Sequence, residues 1–374
     1  MKRFRFSQGI RGLCAALALC LALPGCAAGQ ASADPAMKGW KQYSIAWFDV
    51  FDTVTQVQGY AESQEAWNEQ MTRLHQDLTR YHQLFDIYNH YDGMTNLYDL
   101  NQTAAEGPVA AEPEILDLLA QAKEVYTLTD GRTNVAMGRL LALWHDARTA
   151  AEADPSAAFL PDEAALEAAA AHRNIDDLIL DEDAGTVYYT DPELQLDVGS
   201  IGKGYAVEQV AQAAEARGLT SALISVGGNL RAIGHKPDGS AWTGGVENPW
   251  GGQDILAALE LPEGASLVTS GDYQRYFELN GVRYHHLIDP ETRYPAAYFD
   301  SVTVLCSDSG LADGLSTSLF IMGKDKAAEY WRAHSDEFDT ILEDEDGVLY
   351  VTEGIADDFT SDHETNIIRK DGDT

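Results

Sequence analysis

The sequence predicts an α+β fold, and three observations predict it. Apolar residues recur at helical spacing in two N-terminal stretches; from Leu178 onward the pattern changes to short β-like runs separated by Gly, Asp and Pro; and only two helices interrupt those runs, too few for a regular βαβ repeat. With 374 residues, 45% hydrophobic and 23% charged, the chain can build one large domain or two closely packed lobes. No internal repeat is present.

Taken in order, the first 25 residues carry Lys2, Arg3, Arg5 and Arg11 and no acid, then an apolar run from Leu13 to Leu23 that ends in Leu23-Pro24-Gly25-Cys26. That is the layout of a secretory signal, and its termination at a cysteine resembles the lipobox of bacterial lipoproteins. An uncleaved anchor is the alternative, but the run is shorter than the roughly 20 residues a bilayer span takes. The expected organisation is a signal at 1–25, a tether of small residues at 26–39 and a functional domain at 40–374. Cys26 becomes the acylated N-terminus, on the extracytoplasmic face of the cell membrane. Cys14 and Cys20 leave with the signal, so Cys306 is alone and disulfides play no part. Loss of the signal leaves 21 basic against 60 acidic side chains, a formal charge of −39. Such a charge excludes nucleic acid and electrostatic adhesion to anionic lipid, which both need basic patches.

Tyr43 to Gln58, rich in aromatic and β-branched residues, reads as a strand or hairpin. Trp67, Met71, Leu74, Leu78 and Tyr81 form one helical stripe, and Ile115, Leu118, Leu119, Ala122, Val125 and Tyr126 a second after Pro113. Ala150 to Ala171, Ala- and Glu-rich, reads as a surface helix. The expected strands are Thr186–Tyr189, Ala222–Val226, Thr243–Val246, Leu256–Leu261 and Ser301–Leu305; the expected helices are Tyr205–Arg217 and roughly Gly310–Met322. Glu343 to Gly347 reads as a charged turn between two strands.

Four segments carry chemistry. Asp197-Val198-Gly199-Ser200-Ile201-Gly202-Lys203-Gly204 lies between a strand ending near Leu196 and a helix, where glycines and a helix N-terminus suit an anion and Lys203 adds a point charge. By itself it matches neither the P-loop nor the dinucleotide fingerprint, and a plain strand-to-helix turn fits equally well. Gly227-Gly228-Asn229-Leu230-Arg231 permits close approach of a ligand, or is simply a tight turn. Ser270-Gly271-Asp272-Tyr273-Gln274-Arg275-Tyr276-Phe277 is followed by His285-His286-Leu287-Ile288-Asp289-Pro290. Strand alternation turns the two histidines to opposite faces, which with no third ligand nearby argues against zinc. Asp313 and Thr317, at i and i+4 of an apolar helix, share one face and suit a hard cation, or serve as a cap and a packed hydroxyl.

In content and order these segments resemble the FAD:protein FMN transferase family, ApbE. The family's Asp-hydrophobic-Gly-x-x-x-Lys-Gly stretch is met by Asp197 to Gly204, and its Gly-Gly-Asn/Asp-hydrophobic-Arg stretch by Gly227 to Arg231. Its Ser-Gly-Asp-Tyr…Arg-Tyr-Phe, His-hydrophobic-hydrophobic-Asp-Pro and Ala-Asp-x-hydrophobic-x-Thr stretches are met by Ser270 to Phe277, His286 to Pro290 and Ala312 to Thr317. Weaker matches at Phe51 to Thr53, Asn96 to Asn101 and Gly131 to Trp144 extend the resemblance over nearly all of the mature chain. One departure is Arg293, where the family usually has Gly, a residue that implies a turn with positive φ.

The resemblance implies a T-fold-like architecture of two packed lobes with FAD in the cleft between them, and 40–374 as one FMN transferase domain. A threonine or serine hydroxyl of an acceptor protein attacks the FMN phosphorus of FAD, and AMP leaves. It implies Mg²⁺ held by Asp313, Thr317 and a backbone carbonyl of the Gly199–Gly202 loop, at Ser200, with Lys203 assisting and His286 as the base. Gly199, Gly227, Gly228, Asn229, Asp272 and Arg275 line or brace the FAD site, and Asn101 falls on the flavin side. Acceptors of the family are subunits of sodium- or proton-translocating Rnf/Nqr-type complexes and secreted flavoproteins. This chain has no Asp-Gly-x-Thr-Gly-Ala-Thr-like acceptor sequence of its own. Alternatives are a Mg²⁺-dependent FAD pyrophosphatase, in which water replaces the hydroxyl, and a flavin-binding lipoprotein that does not react.

Overall fold

The hairpin expected near the start of the mature chain is present as β1 (Lys41–Trp47) and β2 (Thr55–Ala61), antiparallel to one another. The structure, a computed structural model, describes residues 32–250 and 255–372; the signal stretch, Cys26 and most of the stretch read as a tether lie outside the described residues. The end of that stretch is packed: Asp34 N donates to Pro237 O at 2.9 Å, and Met37 is buried.

Next come α1 (Gln64–Phe85), α2 (Leu97–Thr103), β3 (Val109–Ala110), α3 (Pro113–Leu128), α4 (Gly138–Ala153), α5 (Glu163–Ala170), β4 (Leu178–Asp181) and β5 (Thr186–Tyr189). They are followed by α6 (Gly202–Ala216), β6 (Ser221–Val226), β7 (Asn229–Gly234), β8 (Trp242–Glu247), β9 (Ile255–Leu261), β10 (Ser266–Gly271), β11 (Tyr276–Leu279) and β12 (Val282–His285). The chain closes with β13 (Ser301–Cys306), α7 (Ser309–Met322), α8 (Lys324–Ala333), β14 (Asp339–Glu343), β15 (Leu349–Thr352), β16 (Phe359–Thr360) and β17 (Thr365–Ile368).

A nine-stranded sheet in the order β1-β2-β6-β7-β10-β13-β14-β15-β17 is the backbone of the fold. Side-chain alternation along β6 divides its two faces: Ala222, Ile224 and Val226 pack under α1 and α6, while Leu223 meets Trp242 and Leu259 of a small sheet ordered β16-β9-β8. The helices α7 and α8 cover β10, β13 and β14. A second lobe gathers α2, α3 and the sheet β3-β5-β4 around the start of α6. The mixed α/β architecture expected from the sequence is therefore the one observed.

Two expected elements differ. The surface helix over Ala150–Ala171 is two helices, because Asp154 accepts Ser156 N at 2.9 Å just where Pro155 removes a donor. The strand ending near Leu196 is an extended segment outside any ladder; the Asn101 side chain replaces the missing neighbour, accepting Leu196 N at 2.8 Å and donating to Leu196 O at 2.9 Å. Asn101 is thus a clamp on the backbone before the Asp197 loop. Arg293 has φ +68°, the left-handed conformation that a family glycine at this place implies. Its backbone is fixed from both sides: Arg293 N donates to Asp289 O at 2.8 Å, and Trp144 Nε1 donates to Arg293 O at 2.9 Å.

Candidate active site

The two lobes enclose a cavity of about 600 Å³ at the ends of β6, β7 and β10. Lys203, on the first turn of α6, owes its position to the glycine after it. A Cβ at Gly204 would stand 2.1 Å from Ser309 O and 2.6 Å from Asp313 Cβ, so only glycine lets the N-terminal turns of α6 and α7 touch. Asp313 does not cap its own helix; Asp308 does, accepting Leu311 N at 2.7 Å. The Asp313 carboxylate instead reaches across to α6, with Oδ2 accepting Gly204 N at 2.8 Å and Oδ1 3.5 Å from Lys203 Nζ. One donor of the helix N-terminus expected to hold an external anion is therefore taken by the protein's own carboxylate.

Asp313, Thr317, Ser200, Lys203, Gly199, Gly227, Gly228, Arg275 and His286 all line the cavity, as the motifs lead one to expect of a shared site. The turn from β6 to β7 projects into it through Gly227 (φ +51°) and Gly228 (φ +90°); at Gly227 a Cβ would press to 2.5 Å from Thr53 Oγ1. Gly227 N is already donated to Val54 O at 3.1 Å. Asn229 and Asp272 do not themselves line the cavity, which leaves bracing as the role open to them. Asn229 is fully buried on β7 and works through Lys203, accepting Nζ on Oδ1 at 3.1 Å. Asp272 is committed to Arg283, 2.9 Å away, while its neighbour Tyr273 lines the cavity.

The histidine pair departs from strict alternation, because the ladder of β12 stops at His285. Both residues contribute to the cavity lining. His285 is committed elsewhere: its Nε2 lies 2.7 Å from Ala296 O, and Nδ1 accepts Leu287 N at 3.2 Å. His286 Nδ1 is buried with no partner among the described residues. Burial, with Arg275, His285, Arg148 and Lys203 positive or polar around it, pushes His286 well below the usual histidine range.

Sequence reasoning missed one wall. Met137, Leu141, Trp144, His145 and Arg148 form a helical stripe on and beside α4 that faces the cavity, and Tyr88 stacks on His145 with ring centroids 5.0 Å apart. Their spacing was a usable signal. Asp197, opposite them, accepts Gly199 N at 2.8 Å. Burial raises its carboxyl above the ordinary range, while that hydrogen bond and then Arg275, His145 and Arg148 pull the other way.

The donors around Asp313 suit a hard cation. One carboxylate and the Thr317 hydroxyl, a helical turn apart, are oxygen ligands of the kind Mg²⁺ takes together with water and substrate phosphates. Among the described residues no three His, Cys, Asp or Glu side chains converge as a metal group.

Fold and cavity together define a mixed α/β protein whose cavity gathers Lys203, Arg148 and Arg275 with the Gly227-Gly228 turn, Asp313 and Thr317. The sequence profile described as the ApbE family matches residues 51–342, and the chain belongs to that family. A FAD:protein FMN transferase of Klebsiella pneumoniae is 32% identical over 260 residues, 67% of this chain and 78% of that protein. One from Haemophilus influenzae is 34% identical over 64% of this chain and 69% of its own. The crystal structure of the ApbE protein of Thermotoga maritima superposes with a TM-score of 0.74 at 28% identity, covering 84% of this chain and 98% of that one.

Proposed function

We propose that this protein is an FAD:protein FMN transferase, acting on a hydroxyl side chain of an extracytoplasmic acceptor protein. The observation that carries the reading is the convergence of Lys203, Asp313, Thr317 and His286 on one cavity beside a bare glycine turn. The acceptor oxygen bonds to the FMN phosphorus, the bond to the bridging oxygen breaks, and AMP departs with that oxygen. Phosphoryl transfer of this kind depends on positioning and on neutralising charge over the phosphate oxygens. Lys203, held by Asn229, places a fixed positive charge there, and Gly228, with nothing nearer than 3.6 Å to where a Cβ would stand, leaves room for the phosphates to come close. Asp313, Thr317 and the Ser200 carbonyl would hold Mg²⁺, which supplies further charge neutralisation when bound. His286, neutral because its burial disfavours the charged form, takes the proton from the attacking hydroxyl. Arg148 and Arg275 offer positive charge to the rest of the dinucleotide.

The lipobox at Leu23 to Cys26 supports anchoring through an acylated Cys26 on the extracytoplasmic face, where Rnf/Nqr-type subunits or secreted flavoproteins present their acceptor hydroxyls. Membrane partitioning of Cys26→Ala tests the anchor: release into the soluble fraction is expected, and unchanged partitioning contradicts it. The activity is tested by incubating the protein with FAD, Mg²⁺ and an acceptor domain, then following AMP and protein-bound flavin fluorescence. Equal amounts of both are expected. AMP with free FMN and no bound flavin would make the protein a pyrophosphatase instead.

A further inference from the structure

β8 is the outer strand of the small sheet, in the order β16-β9-β8, and its end forms part of the cavity wall through Gly245 and Glu247. The direction of its backbone groups follows from the register. Glu260 N donates to Asp358 O at 3.2 Å, so the backbone groups of Glu260, and by alternation those of Ala258, point toward β16. Thr243 lies opposite Glu260 and Gly245 opposite Ala258. Both are therefore non-hydrogen-bonded pairs with β9, and the N–H and C=O of Thr243 and Gly245 point away from the sheet. Among the described residues no backbone or side-chain group bonds to any of these four.

An unprotected edge is a template for another chain, and proteins usually blunt it with proline, lysine or a covering loop. β8 has neither proline nor lysine. It has Gly244-Gly245 instead. Gly244 is required by the core, where a Cβ would come to 2.8 Å from Leu267 Cδ2; Gly245 lies on the other face, next to the cavity, where a Cβ would stand 3.2 Å from the Ile255 side chain. A glycine in a strand marks a place where another backbone approaches closely. The register shift between Val246 and Glu247 bends the strand end at the cavity rim.

We propose that this edge is the docking strand for the acceptor: a segment of the acceptor protein adds to β8 in extended form, hydrogen-bonded to Thr243 and Gly245. Its hydroxyl-bearing residue comes opposite Gly245, whose lack of a side chain leaves a way into the cavity past Ile255. The segment flanking that hydroxyl carries small side chains, and it is recognised chiefly through its backbone. The inference rests on the transferase reading.

The test uses the full mature chain with FAD, Mg²⁺ and a synthetic peptide containing Asp-Gly-Ala-Thr-Gly-Ala-Thr, with FAD affinity measured separately by flavin fluorescence. Thr243→Pro removes an N–H that faces outward, so the β8–β9 hairpin should persist. The peptide KM is expected to rise about tenfold, the worth of one or two backbone hydrogen bonds, with FAD affinity unchanged. Thr243→Val, which keeps the N–H, should stay within about twofold. A Thr243→Pro KM within twofold of wild type overturns the proposal. Should that variant fail to fold, wild-type protein is given peptides N-methylated at single positions. Alternating sensitivity supports strand addition, and uniform tolerance overturns it. If wild type releases AMP and FMN but labels no peptide or acceptor domain, the transferase reading fails and the docking strand falls with it; labelling that ignores Thr243→Pro removes the docking strand alone.

Discussion

The same three elements, α6, β7 and α7, are crossed by two charged rungs. In the inner rung Arg231 of β7 grips Glu208 of α6 through two contacts of 3.0 and 3.1 Å; the carboxylate also accepts Ser309 N of α7 at 3.0 Å and Gln212 Nε2 at 3.0 Å. The outer rung sits two residues back on β7 and one turn further on α7: Asn229 meets Lys203, and Lys203 meets Asp313 at 3.5 Å. The Arg231 side chain is 6% exposed and nearly every donor is used, whereas that of Lys203 is 21% exposed and opens on the cavity. A buried charge that is fully paired holds helices to a sheet. One left with spare bonding capacity, beside a cavity, is available to a ligand.

If that distinction is right, substitutions in the outer rung should cost rate and those in the inner rung stability. The largest effect is expected for Asp313→Ala, because it removes the only carboxylate proposed to hold the metal. Transfer at saturating FAD should fall by about three orders of magnitude or more, while FAD affinity measured by fluorescence changes little. Activity within a few-fold of wild type would leave Asp313 as no more than a cap for α6.

His286→Ala should cost roughly 10²–10⁴ in rate, the usual contribution of a positioned base. The sign of the pH dependence follows from the direction of its shift. A base depressed below its ordinary 6.5 stays neutral as the pH falls through that value, so kcat/KM of wild type should be level from pH 8 to 6.5 and decline only below. An acid limb centred at or above 6.5 would contradict it. His285→Gln, whose amide can still reach Ala296 O, should stay within a few-fold in rate and lower Tm instead.

Glu208→Ala belongs to the inner rung. It strands Arg231 in the core and should lose about 3–5 kcal/mol of stability by denaturant titration, with the rate per folded molecule preserved. The smallest effect is expected at Arg293, outside both rungs. Arg293→Gly relieves a left-handed backbone but gives up the contact of 2.5 Å with Glu163 and adds freedom to the unfolded chain. Stability should move by less than about 1 kcal/mol.

What the sequence disclosed follows the range of the forces involved. The stripe from Trp67 to Tyr81 and the short runs such as Thr186–Tyr189 are local patterns, and they became α1 and β5. The motif glycines pointed to the cavity because each leaves room for a neighbour. The contacts of Asn101, Asn229 and Asp272 were not legible for the opposite reason: their partners, Leu196, Lys203 and Arg283, are chosen by tertiary packing, which spacing along the chain does not record. The α4 wall was overlooked because Trp144 and Arg148 sit on a helix whose end runs into the Ala-rich stretch, which read as one separate surface helix.

The most direct test of the two-rung account measures transfer rate per folded molecule and Tm together, in Lys203→Met and Arg231→Met. Lys203→Met should lower the rate by about 10²–10³, the usual loss on removing one charge-stabilising group, and leave Tm nearly unchanged. Arg231→Met should do the reverse, melting early with its remaining folded fraction fully active. A Lys203→Met protein that transfers FMN at the wild-type rate, or an Arg231→Met protein that is stable yet inactive, would contradict the account.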